Sequence, residues 1–259
     1  MQDRDSPLRV VLVSGCVAVV CSVMVTAAVS YFRPMQAAHA SSDRSRDILI
    51  AAGLLDDKDD VTPLQIATRF RQLTVRAVDL RAGQLTDAVD PLTFDFEAAA
   101  ASQTGSTALP KAKDTAKLGR RPNLMPIYLL YDNGALDSIT LPVYGQGMWS
   151  TVRAFISLQA DVNTLRSIVI QEHGETPGIG DLIEDVNWLD SWSGKQVFDP
   201  GGAVALRLVT PGSAATDRSA IDAITGATVT SESVVTLVQF WLGEDGYGPV
   251  LQQLQRDAG

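Results

Sequence analysis

Asp222-Ala-Ile-Thr-Gly-Ala-Thr-Val-Thr230 is a nearly charge-free segment rich in hydroxyl groups. Gly226 and Ala227 are small enough to let the backbone approach a bulky group closely. Thr225 and Thr228 bring two alcohol oxygens to one place, with a single acid, Asp222, just upstream. Beyond them Val234, Leu237, Val238 and Trp241 recur at i, i+3, i+4 and i+7, the stripe of an amphipathic helix. Thr230 or Ser231 is the natural N-cap for that helix. The loop then stands at the positive end of the helix, where backbone N–H groups favour a phosphate. Thr228 is placed to hold a phosphorylated ligand, or to carry one as an ester.

Two other segments are dense in glycine and in groups that could line a pocket. Tyr144-Gly-Gln-Gly-Met-Trp-Ser150 sets a flexible turn before Trp149 and Ser150. His173-Gly-Glu-Thr-Pro-Gly-Ile-Gly180 carries an acid and an alcohol, Glu175 and Thr176, at a turn. Taken singly, each reads first as ordinary structure: Trp149 as a core aromatic, and the second segment as a type II turn with Pro177 second and Gly178 third. As parts of a site they would supply an aromatic wall, backbone donors and a carboxylate.

These segments need elements to position them. Ser41 to Ala52 reads as a helix ended by Gly53, followed by an acidic connector, Asp56 to Asp60. Thr62-Pro63-Leu64-Gln65 is a helix start with a capping box and proline in the first turn. The spacing of Ile66, Phe70, Leu73, Ala77 and Leu80 predicts one buried helical stripe running on from it. Pro91 to Glu97 is expected to be extended, and 98–118, rich in Ala, Ser, Thr and Lys, to be a mobile surface insertion. From Met125 the pattern turns to strands. Met125–Tyr131 and Leu136–Leu141 flank the hairpin signal Asp132-Asn133-Gly134, and Ser150–Gln159 and Thr164–Gln171 flank another turn. Asp181 to Trp192 has a short helical pattern, Val204–Val209 reads as a strand, and Ser231–Leu242 and Tyr247–Arg256 as helices. The expectation is an α+β fold with an antiparallel sheet and flanking helices.

Val10 to Phe32 contains no Asp, Glu, Lys, Arg or His across 23 residues, enough helix to span a ~30 Å hydrocarbon core. Ala38-His39-Ala40 resembles a cleavage site, but the apolar run is longer than a signal h-region. Val13-Ser14-Gly15-Cys16 resembles a lipoprotein site, but the run continues well past the cysteine. An uncleaved anchor in contact with membrane lipid is expected. The organisation is then a cytoplasmic tail (1–9), a transmembrane helix (10–32), a helical connector region (33–124) that contains the mobile insertion 98–118, and an α+β domain (125–259). Arg4 and Arg9 precede the span and Arg33, Arg44 and Arg46 follow it, so positive charge does not orient it. The short tail is the simpler cytoplasmic end, which puts the domain in the periplasm.

The chain has 30 acids and 21 bases, a net charge of −9, which argues against nucleic acid as a partner. Its two cysteines, Cys16 and Cys21, both lie in the apolar span, so the rest of the chain has no disulfide and no thiolate metal site. With His39 and His173 the only histidines, no metal site is expected. A P-loop is absent, and Gly145-x-Gly147 lacks the later glycine of a dinucleotide fingerprint.

Asp222, Thr225, Gly226, Ala227 and Thr228 match the flavinylation motif Asp-x-x-(Ser/Thr)-Gly-Ala-Thr of the covalent-FMN-binding domain family, with Ala223 where a glycine is usual. With the Gly-x-Gly-x-Trp-Ser and His-Gly-Glu-Thr-Pro-Gly-Ile-Gly segments in this order, nearly the whole chain resembles the C subunits of Na+-translocating NADH:quinone oxidoreductases. The Ser-Arg-Asp-Ile-Leu-Ile-Ala-Ala-Gly stretch after the apolar run belongs to the same likeness. The resemblance implies FMN joined through a phosphoester to Thr228. Thr225, Gly226, Ala227, Asp222, Glu175, Thr176, Gly178, Trp149 and Ser150 would surround the flavin, with no catalytic residue of the chain's own. It also implies an electron carrier in a bacterial inner-membrane complex that oxidises NADH, reduces ubiquinone and moves Na+. The other subunits are then partners, and a flavin transferase that uses FAD and Mg²⁺ and releases AMP is a partner in maturation. Alternatives are the G subunit of the related ion-translocating electron transport complex and a cofactor-free, membrane-anchored interaction domain. The Trp149-Ser150 continuation favours the C subunit over the G subunit.

Overall fold

The computed structural model describes residues 7–258, with side chains described for 8–32 and 41–256. The acids and Arg4 of the tail, and the side chains of Ala38, His39 and Ala40, lie outside the described residues. Contacts divide the chain into two units, Met1–Arg44 and Ser45–Gly259.

The first unit is helical. Within helix α1, Pro7–Ala51, the stretch Leu8–Phe32 is long and apolar enough to cross a membrane. Its side chains are exposed, as a lipid-facing helix requires, and so are the free thiols of Cys16 and Cys21.

The second unit begins with the last turns of α1, whose end follows from one glycine. Gly53 has φ +76°, its N–H donates to the Ile50 carbonyl at 2.9 Å, and the Leu54 N–H donates to that of Leu49 at 2.8 Å. This pair of bonds is a Schellman stop, which needs a residue tolerant of the left-handed region. Helix α2, Pro63–Phe70, starts with both halves of the expected capping box. Thr62 Oγ1 accepts from the Gln65 N–H, and Gln65 Oε1 accepts from the Thr62 N–H at 2.8 Å. Thr62→Ala is expected to cost about 1 kcal/mol of stability, read as a lower unfolding midpoint.

The helix does not continue through Leu80 as the spacing predicts. Leu73–Asp79 is strand β1, paired residue for residue with β5, Leu124–Asp132, from Leu73↔Leu130 to Asp79↔Leu124. A step of four returns to the same face of a strand as well as of a helix, so Leu73 and Ala77 satisfy either. The β-branched Thr74, Val75 and Val78 favour the strand. With β2 (Gln84–Thr86), β6 (Ala135–Gln146), β7 (Thr151–Gln159) and β8 (Leu165–Glu172), these strands form one antiparallel sheet of order β2-β1-β5-β6-β7-β8. The β5–β6 turn has positive φ at Asn133 (49°) and Gly134 (84°), the requirement of a two-residue hairpin loop.

Pro91 to Glu97 is not extended throughout. Asp95 Oδ1 accepts from the Ala98 N–H at 2.9 Å and starts helix α3, Phe96–Ala101, burying Phe96. The segment 98–118 has its own structure. Strand β3 (Ser106–Ala108) pairs with β4 (Arg120–Pro122), Ala116 is buried, and Asp114 accepts from the N–H groups of Leu118 and Gly119, both at 2.7 Å. Local hydrogen bonds hold it, which is why it shows no apolar period.

One sheet face packs on Ile48, Leu49, Ala51 and Ile66, through Leu73, Tyr128 and Phe155. The larger core on the other face includes the helices α5 (Thr228–Leu242) and α6 (Gly248–Ala258). Between β8 and these helices run a 3-10 turn (Gly180–Glu184), helix α4 (Val186–Asp190), and the short strands β9 (Arg207–Val209) and β10 (Ala220–Asp222). The last two pair in parallel, an addition to the expected antiparallel sheet. The expected strand from Val204 is thus shorter.

Candidate functional site

Helix α5 begins at Thr228, two residues before Thr230 and three before Ser231, so neither is its N-cap. Ala227 takes that place and has no side chain that can cap. The N–H groups of Thr228, Val229 and Thr230 precede the first helical bond, from Ser231 N–H to the Ala227 carbonyl at 2.9 Å. They point from the positive end of a 15-residue helix. Before them, Ile224–Ala227 turns sharply, with the Ala227 N–H donating to Ile224 at 3.0 Å and Gly226 at φ +87°. A side chain at 226 would meet no neighbour, so the glycine is demanded by the backbone alone. Thr225, within this turn, and Thr228, just after it, are exposed.

Thr230 and Ser231 are buried and brace the turn from within. Ser231 Oγ bonds the carbonyls of Ala227 and Thr228, both at 3.0 Å, and accepts from the Ile224 N–H at 3.4 Å. Asp222 sits in β10, behind the turn. Its Oδ1 accepts from the N–H groups of Ser213 (2.8 Å) and Ala214 (3.0 Å), and Trp188 Nε1 donates to its carbonyl at 2.9 Å.

In front of Thr228 lies a cavity of about 390 Å³, within the range usual for small-ligand sites. Its lining draws on three segments that are distant in sequence: Met148 and Trp149, then Glu175, Thr176, Ile179 and Gly180, then Gly226 through Thr230. Trp149 is 66% exposed, a wall of the cavity and not a core anchor, and Met148, Ile179 and Val229 are about half exposed beside it. The expected type II turn is present. Gly178 has φ +77°, and the Ile179 N–H donates to the Thr176 carbonyl at 3.2 Å. Thr176 lines the cavity, whereas Ser150, Gly178, Thr225 and Asp222 stand outside the lining.

Glu175 is 4% exposed and turned inward. Its Oε1 accepts from the N–H groups of Trp149 (3.0 Å) and Ser150 (3.3 Å), and its Oε2 from Thr230 Oγ1 (3.1 Å). One carboxylate therefore ties the Trp149 loop to the first turn of α5. Ser150 adds a second tie, with its Oγ accepting from the Gly174 N–H at 2.6 Å. Gly147 closes over this carboxylate so tightly that an added Cβ would lie 2.5 Å from Glu175 Oε1. Sequence reasoning missed Met148, Ile179, Gly180, Val229 and Thr230 as lining residues. Each lies within a segment it did find, but only the three-dimensional closure shows which face inward.

A second concavity, near 350 Å³, lies between α3 and the end of β6. Its charges are largely spoken for: Arg153 pairs with Glu97 at 3.2 Å and Glu172 at 3.1 Å. Burial, with Glu97 adding to it, pushes the Tyr144 phenol there well above its ordinary value, so it stays protonated. Tyr144 is the aromatic among the described residues lining that space, and the helix beside it, α3, has its N-terminus capped by Asp95.

An uncapped helix start bearing an exposed hydroxyl suits a phosphate, and the apolar walls of Trp149, Met148, Ile179 and Val229 suit a flat ring. The class this defines is an FMN-binding domain, and residues 147–243 match the family described as FMN-binding domain. The chain is 38% identical to the C subunit of the Na(+)-translocating NADH-quinone reductase of Yersinia pestis, covering 99% of this chain and 96% of that one. It is 37% identical to the protein of the same name from Pseudomonas aeruginosa, with 99% of each covered. The crystal structure of Shewanella oneidensis NqrC superposes with a TM-score of 0.77 at 34% identity, covering 85% of this chain and 99% of that one. The chain belongs to the family of C subunits of Na(+)-translocating NADH-quinone reductases.

Proposed function

We propose that this chain is an electron-carrier subunit of a sodium-translocating NADH:quinone reductase and holds FMN by a phosphoester to Thr228 Oγ. The observation that carries the proposal is the coincidence of three features at one point. These are an exposed threonine hydroxyl, the uncapped amides of α5 and the mouth of an apolar cavity. FMN held there supplies one- and two-electron chemistry, and the protein supplies position and electrostatics. Thr228 to Thr230 offer N–H groups to the phosphate, while Trp149, Met148, Ile179 and Val229 shelter the ring from water. Thr176 and Gly178 belong to the turn that forms the far wall. The G subunit of the related complex is the less supported reading, because the full-length relatives are C subunits.

Threonine is a poor nucleophile at neutral pH without a base, and the histidine nearest in sequence, His173, points its ring at Glu175 and Glu184. Attachment therefore falls to a flavin transferase that uses FAD, with AMP leaving as Thr228 Oγ takes the flavin phosphoryl group. Leu8–Phe32 anchors the chain in membrane lipid, with the folded unit in the periplasm and the remaining subunits of the complex as its partners. A covalent link suits a carrier in a compartment where free FMN is not replenished.

Coexpression with a flavin transferase and mass analysis of the peptide spanning Ala223 to Val234 test the reading. FMN less one water, localised to Thr228, is the expected result, and a bare polypeptide overturns it. Asp222→Ala should lower the loading, by loosening the 213–214 loop that a transferase would meet. Full loading would remove Asp222 from that role.

A further inference from the structure

The bracket formed by Glu175 is itself held from behind. The Glu175 N–H donates to His173 Nδ1 at 3.1 Å, and His173 Nε2 lies 3.0 Å from Glu184 Oε1 in the 3-10 turn. A nitrogen that accepts from an N–H carries no proton, so the ring proton sits on Nε2 and points at Glu184. The imidazole side chain is only 11% exposed, whereas that of Glu184 is 55% exposed, so burial shields the bond from the Glu175 N–H more than the contact with Glu184. Around it the chain has no slack. An added Cβ on Gly180 would come within 2.8 Å of Glu175 Cβ, and one on Gly174 within 3.1 Å of Ser150 Cβ and Oγ.

We propose that His173 is a positioning residue of the flavin site. Locked as its Nε2–H tautomer by Glu184, it fixes the backbone at Glu175. The Glu175 carboxylate can then clasp the Trp149 loop on one side and Thr230 on the other. Glu175 is on this account the clasp of the pocket and not a contact to the ring. The inference refines the flavin reading, since the geometry it holds is that of the Thr228 cavity. The clasp itself exists whether or not Thr228 carries a flavin.

The test uses the full-length chain in detergent, made with and without the transferase, as wild type, His173→Ala and His173→Asn. Asparagine keeps an acceptor oxygen where Nδ1 stands but has no second nitrogen for Glu184. Hydrogen exchange at the Trp149 and Ser150 amides reads the clasp directly. In His173→Ala these amides should exchange about tenfold faster, the signature of one lost local restraint. Amides in the centres of β6 and α5 should be unchanged, and His173→Asn should restore most of the protection. In the loaded chain, iodide should quench the flavin more readily in His173→Ala than in wild type, with the mass at Thr228 unaltered. Unchanged exchange in His173→Ala, or exchange raised throughout the chain with no rescue by asparagine, overturns the proposal. Absence of flavin from the wild type would instead overturn the attachment, and the exchange result would still decide the clasp.

Discussion

Thr228→Ala is expected to abolish covalent flavin, leaving no fluorescent band in a denaturing gel under ultraviolet light. The reason is local. Among the described residues, Thr228 carries the exposed hydroxyl that stands both at the uncapped start of α5 and at the cavity, whereas Thr230 is buried. Thr225 is exposed one turn earlier and lies outside the lining, so Thr225→Ala should reduce loading less. Thr228→Ser keeps the hydroxyl and should keep a measurable part of the loading. The fold should be indifferent to all three changes, because neither threonine is buried. A Thr228→Ala chain that still carries flavin through denaturation would move the attachment elsewhere.

The second large effect is expected near the other end of α5, at Trp241. Trp241→Ala should cost about 3–5 kcal/mol of unfolding free energy, against a total that is about 5–15 kcal/mol for ordinary domains. Trp241 is fully buried on α5 and packs on Tyr144, Tyr247 and Phe240 with ring centroids 5.1, 5.5 and 5.6 Å away. Its Nε1 donates to the Tyr144 carbonyl at 2.6 Å, fastening α5 to β6. Truncation leaves a cavity and an unpaired carbonyl together. Denaturant unfolding of the detergent-solubilised chain would register the loss, and a change below about 1 kcal/mol would contradict the packing argument. Because the same helix presents Thr228, a loosened α5 should also lower flavin yield without changing the site of attachment.

These two residues show where information sits in this molecule. Trp241 was legible in sequence as one member of an i, i+3, i+4, i+7 stripe, and Thr228 as the last residue of a short hydroxyl-rich motif. Both readings depend on neighbours within a few residues. The same holds for the Gly53 stop, the Thr62 capping box, the Asn133-Gly134 turn and the Pro177-Gly178 turn. Each is a backbone requirement that a particular residue meets locally, so each survives without knowledge of the fold.

What went astray depended on distance. Leu73 and Ala77 obeyed a spacing common to helix and strand, and only the pairing of β1 with β5 chose between them. The segment 98–118 carries no period because local hydrogen bonds hold it, and the residues that join it to the core, Leu109, Ala116 and Leu118, are irregularly spaced and pack on other parts of the chain. Trp149 by itself read as a core aromatic and by resemblance as a residue beside the flavin, and only folding set it, exposed, at a cavity whose other walls lie 26 and more residues away. Glu175, expected beside the flavin, does line the cavity, but that its carboxylate bonds Trp149, Ser150 and Thr230 was not legible in sequence.

The amino-acid sequence alone determined the apolar span, the caps and turns, the amphipathic helix and the motif bearing Thr228, because these follow from short-range sterics, hydrogen bonding and periodicity. Tertiary structure decided which strands pair, which motif residues line the cavity and which carboxylate serves the scaffold. Those depend on burial and on partners remote in the chain, and a linear pattern does not contain either.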